Sequence, residues 1–90
     1  MDISIVDPEE LRHFCNMLLQ IRNSMLDEFE QTHKDMHRVN EIWNDEKNRQ
    51  FMEEFEIKYQ KVKQTADLME NYAGYINKVY EAVQNYINQR

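Results

Sequence analysis

One glycine, one proline and one cysteine are spread over ninety residues, and each scarcity removes a class of structure. With so few breakers, many Glu, Lys, Gln and Met, and few β-branched residues, the chain is expected to be helical nearly throughout. The lone Cys15 excludes an internal disulfide. On an apolar helix face it reads as a small buried hydrophobe rather than a reactive thiol, although Arg12 and His13 are close in sequence. No apolar run approaches the roughly 18 residues that a spanning helix needs, so membrane insertion is not expected. No Lys or Arg precedes Arg12 and no apolar core stands there, so a cleaved secretory signal is not expected. The expectation is a protein cytoplasmic as made, with secretion by a signal-independent route left open. Positive charge is also short: 11 Lys and Arg stand against 17 Asp and Glu, for a net charge of −6. That balance argues against nucleic acid and against anionic membrane surfaces.

What is present is amphipathic. Charged residues make up 31% and hydrophobic residues 41% of a chain long enough for one domain, residues 1–90. Alone it would bury only about 60–65% of its unfolded surface. Met1 to Val6 alternate apolar and polar and suggest a short extended arm. Asp7-Pro8-Glu9-Glu10 then reads as a helix start, with Asp7 as N-cap, Pro8 in the first helical position and Glu10 completing a capping box. Val6 and Leu11 stand where a hydrophobic staple would. Helix one is expected over about 8–43, with a stripe of Leu11, Phe14/Cys15, Leu18, Ile21/Arg22, Met25, Phe29, Thr32, Met36, Val39 and Trp43. Met17, Leu19 and Leu26 lie off that stripe.

Seven polar residues, Asn44 to Gln50, follow Trp43. A single helix of about eighty residues would carry the first stripe on to Glu46, Gln50 and Glu53. The apolar stripe instead resumes out of register, on Met52, Phe55, Tyr59 and Val62, so a corner at 44–45 is the better reading. Asn44 suits a left-handed residue past the end of a helix, and Asp45 suits the N-cap of the next. Helix two is expected over about 46–88, its seam continuing through Ala66, Met69, Ala73, Ile76, Tyr80, Val83 and Ile87. Antiparallel pairing about the corner brings Leu11 to Tyr80, Leu18 to Ala73, Met25 to Ala66, Phe29 to Val62 and Met36 to Phe55. Trp43 is expected to close over Val39, Phe51 and Phe55. If that cluster is buried, truncating Trp43 would cost on the order of 3 kcal/mol.

A second stripe runs beside the seam of helix two: Leu68, Tyr72, Tyr75, Val79, Ala82 and Tyr86. It is about 27 Å long by helical rise. One partner helix cannot cover both stripes. Leu68, Tyr72, Tyr75, Val79 and Tyr86 are therefore the expected interface of a homodimer, or of a pair with a related hairpin, closing a four-helix bundle.

Side chains that could carry chemistry read as solvated surface. His33 and His37 are one helical turn apart, with Glu30 and Glu41 on a similar face, but the H-E-x-x-H position holds Lys34-Asp35-Met36. The acidic clusters 27–30 and 53–56 each enclose a phenylalanine, and no Gly-containing loop is present to wrap a cation. The tyrosines of helix two, at helical spacing, read as core or interface rather than an aromatic box. Nothing resembles a nucleophile–base pair or a phosphate loop. The expectation is no enzyme, no cofactor and no metal.

The length, the two helices and the Trp43-Asn44-Asp45 corner, with Phe51 and Phe55 beyond it, resemble the WXG100 (ESAT-6-like) family of type VII secretion. The likeness is to the variant group in which the pattern reads W-x-D. The resemblance implies a dimeric four-helix bundle that acts as a secreted substrate or as an adaptor delivering a larger effector protein. Two positions depart from the family pattern. Asp45 stands in place of the glycine. The C-terminal Tyr-x-x-x-Asp/Glu signal is absent, since four residues after Tyr72, Tyr75, Tyr80 and Tyr86 come Ile76, Val79, Gln84 and Arg90. An intracellular helical scaffold or chaperone-like module that is not exported is the other reading.

Overall fold

A computed structural model describes residues 7–89. Within them the chain is all-helical, with two long helices, α1 (Pro8–Ile42) and α2 (Glu46–Asn88). The expected arm at Met1–Val6, the staple from Val6 and the terminal Arg90 lie outside the described residues. No helix among those described is long and apolar enough to cross a membrane. The start of α1 follows from its local sequence. Asp7 Oδ1 accepts the Glu9 N–H at 3.0 Å, and the Asp7 carbonyl accepts the Leu11 N–H at 3.2 Å. Glu9 and Glu10 then lie in the positive first turn, where the helix dipole favours acids.

The chain divides into two units, and both helices contribute to each. The first comprises residues 7–22 and 68–89. Its helices are antiparallel: Arg12 lies over the Tyr80 ring at 6.0 Å, Cys15 contacts Ala73 and Asn77, and Arg22 reaches Glu70 at 3.0 Å. The core is Cys15, Ala73 and Ile76, with Leu11, Leu18 and Leu19 packed against it. Two small side chains, Cys15 and Ala73, let the helices approach while leucines fill the flanks. Cys15 Sγ lies 3.6 Å from the Ala73 carbonyl oxygen and 3.8 Å from Asn77 Oδ1, so the thiol has acceptors in its buried position. Where the stripe offered a choice, the structure turns Cys15 and Arg22 inward and leaves Phe14 and Ile21 exposed.

The second unit is Asn23–Asp67. Its helices also run antiparallel, with His33 against Glu56 and Tyr59 and Asn40 against Asn48. Phe29 stacks on Phe55 at 5.8 Å, and Phe55 continues to Tyr59 at 6.2 Å. Tyr59 is buried, and the Lys63 ammonium sits 4.3 Å from its ring centroid, a cation–π contact. One seam position is corrected here. Thr32 is exposed, its hydroxyl donating back to the Glu28 carbonyl at 2.9 Å, and His33 takes the half-buried place between Phe29 and Met36. Both choices satisfy three-four spacing; the threonine hydroxyl finds its acceptor on its own helix, and the imidazole finds rings to pack on.

The buried hydrophobics among the described residues are Cys15, Tyr59, Ala66, Ala73, Ile76 and Val83. With so few, each carries a large share of the stability. Ile76→Ala is expected to lower the unfolding free energy by about 2–5 kcal/mol, and Ile57→Ala, at an exposed position, by no more than about 0.5 kcal/mol. Chemical denaturation monitored by circular dichroism measures both, and equal losses would contradict this placement of the core.

Candidate functional site

The corner joins the helices through Trp43, Asn44 and Asp45. The Trp43 N–H still donates to the Val39 carbonyl at 2.8 Å, closing the last turn of α1. Asp45 begins α2: its carbonyl accepts the Arg49 N–H at 3.1 Å, and Oδ1 accepts the Asn48 N–H at 2.8 Å, the bond of an N-cap. The other carboxylate oxygen, Oδ2, accepts the Trp43 indole N–H at 2.8 Å. One carboxylate therefore caps the second helix and fixes the residue that ends the first. A glycine at this position would supply neither bond. Asn48 adds a return link, its side-chain amide donating to the Trp43 carbonyl at 2.6 Å and to Asn40 Oδ1 at 3.2 Å.

Two expectations for the corner are corrected. No non-glycine residue among those described has a positive φ, so Asn44 is not left-handed. The Asn48 amide satisfies the Trp43 carbonyl from across the turn, and the reversal does not need that conformation. Nor is Trp43 buried in a cluster with Phe51 and Phe55. Trp43 is 57% exposed and Phe51 58% exposed, while Phe55 turns to Phe29 and His33. The Asp45 bond holds the indole at the solvent-facing turn, where two helix ends provide no third element to cover a large ring.

The second stripe of α2 lies in the first unit and is largely uncovered. Leu68 is 68% exposed, Tyr72, Tyr75 and Tyr86 are exposed, and Val79 is half-buried. From α1, Phe14, Met17 and Ile21 are exposed as well, a contribution that the sequence reading did not assign to this surface. Phe14 meets the edge of Tyr72 at 6.2 Å, and Tyr72 stacks on Tyr75 at 6.2 Å. With Leu11, Ile76 and Val79 these three rings line a shallow apolar groove.

Around His33 and His37 the acidic partner differs from the one the sequence suggested. Glu30 pairs with Lys34 on its own helix at 3.4 Å. His33 Nε2 instead meets Glu56 Oε2 at 2.5 Å, from α2. That hydrogen bond holds the Glu56 carboxyl below its usual range, reinforced by Gln60 and Lys63 and opposed by partial desolvation.

Comparison with known proteins gives no matching family model, no matching curated protein and no matching solved structure.

Replacing Asp45 by Ala is expected to cost about 1–2 kcal/mol through the lost cap and indole bond. Trp43→Ala is expected to cost less than that, because the ring is mostly solvated; thermal melts of the two variants give the order directly. The depressed Glu56 carboxyl sets a pH dependence whose sign follows from the direction of the shift. Its contribution is fully present above the ordinary glutamate pKa of about 4.3 and is lost as pH falls through the lower folded-state value. Wild type is therefore expected to lose stability more steeply than Glu56→Gln across that acidic window in parallel melts.

Proposed function

We propose that this protein is a dimeric, WXG100-like component of type VII-like secretion, a small substrate or an adaptor that delivers a larger effector. The observation that carries the reading is the uncovered apolar face of the first unit, built from Phe14, Met17 and Ile21 on α1 and Leu68, Tyr72 and Tyr75 on α2. Contiguous apolar surface on both helices is the kind of patch that marks an interface. A second copy would lay the same face against it, giving an isologous contact and a four-helix bundle. The two long helices and a tryptophan at the turn between them are compatible with that family's architecture. Trp43, fixed by Asp45 with its ring exposed, has the form of an aromatic anchor for a further partner.

A non-exported helical scaffold is the second reading, and the same uncovered apolar face would serve it by docking a helical partner inside the cell. Export separates the two. The protein is expected in culture supernatant of its native host and is expected to be lost from it when a secretion ATPase is deleted. Retention in the cells in both backgrounds would support the scaffold. The double variant Leu68→Glu, Tyr75→Glu places two charges on the most exposed part of the face without touching the buried residues. It is expected to keep its helical circular dichroism while losing co-purification of a tagged with an untagged copy.

A further inference from the structure

The histidine pair left over from the corner and the apolar face supports a separate inference. His33 and His37 are one turn apart on α1, their rings edge-to-face at 4.6 Å between centroids, with Nε2 facing Nε2 at 3.3 Å. Glu56 comes from α2 and places Oε2 against the same His33 nitrogen. The three ligand-type atoms lie within 4.8 Å of one another. Zinc–nitrogen bonds of about 2.0–2.1 Å in a tetrahedron put adjacent ligand atoms roughly 3.3–3.4 Å apart. The two imidazoles already stand at that separation.

Hydrogen bonding alone serves this arrangement poorly. His33 Nε2 carries at most one proton, and the carboxylate and the second imidazole both face it. A proton directed to Glu56 leaves the exposed His37 Nε2 to solvent, whereas a cation would accept lone pairs from all three atoms. The surroundings restrain the first ligand. The His33 ring lies 4.8 Å from Tyr59 and is stacked at 6.3 Å on Phe55, and Met36 and Met52 line the same hollow. An apolar wall beside the ligands lowers the local dielectric and strengthens their hold on a cation.

We propose that His33, His37 and Glu56 form a binding site for a divalent transition-metal ion of the zinc type, with water completing the coordination. Two ligands come from α1 and one from α2, so the ion braces the two helices of the second unit. Three protein ligands leave the remaining position to water. The proposal is independent of secretion and of dimerisation.

The test is titration of the metal-stripped full chain with zinc chloride by isothermal calorimetry, alongside thermal melts with and without the ion. One ion per chain and a raised melting temperature are expected, because binding to the native state alone stabilises it. His37→Ala, at an exposed position, and Glu56→Gln are each expected to weaken binding tenfold or more; even outer-shell losses at metal sites cost about 10–100-fold. His13→Ala, which removes the one histidine outside the cluster, is expected to bind as wild type does. Cobalt(II) in place of zinc is expected to give visible absorption bands of tetrahedral type, lost in His37→Ala. Absence of saturable binding in the micromolar range, or equal binding by all three variants, would overturn the site. So would a zinc-driven rise in sedimenting mass without a raised melting temperature, which would place the ion between molecules.

Discussion

Two α-helices touch along one line, and this chain carries more apolar surface than one line can cover. That constraint governs the rest. In the first unit the line of contact is taken by Cys15, Ala73 and Ile76, flanked by leucines, and everything wider than this stays outside. Phe14, Tyr72 and Tyr75 then find one another at the rim, where edge-on and stacked contacts recover part of the benefit of burial but leave the rings wet. In the second unit the same limit admits Tyr59 and Ala66 and leaves Trp43 and Phe51 in solvent. A monomer of this kind has a thin core and a large exposed aromatic surface, and association is the ordinary physical remedy.

The corner works by a different principle. Its order comes from polar geometry rather than burial. The Asp45 carboxylate divides its two oxygens between the first turn of α2 and the indole of Trp43, while the Asn48 amide bonds back to the end of α1. In a motif that looks uniformly hydrophobic in sequence, a tryptophan followed by two phenylalanines, Trp43 is thus held by a hydrogen bond while Phe55 packs on Phe29. The tryptophan serves as an oriented surface group.

Much of the fold was legible because helical periodicity is a long-range signal repeated many times. The seam of α2 from Met52 to Val83 is the buried or half-buried face along its whole length, and the caps at Asp7 and Asp45 announce themselves by residue type. What was hidden depended on choices between adjacent positions. Thr32 and His33 both fit the spacing, as did Phe14 and Cys15, and only packing across the helix pair decides between them. Burial of Trp43 was misjudged because size and hydrophobicity argue for burial, whereas what is available to cover a ring at a turn is not written in the local sequence. Glu56 was missed as the partner of His33 because it lies 23 residues away, on the other helix. The antiparallel register, which sets position 33 near 56–59, was the signal that could have found it.

The central claim is that the apolar face of the first unit is covered in solution by a second copy of the chain. Sedimentation equilibrium of the purified wild-type protein, over a range of micromolar concentrations, tests it most directly. The account predicts a mass twice that of the 11.1 kDa chain, falling toward the single-chain value only on dilution. A single-chain mass throughout that range would contradict it.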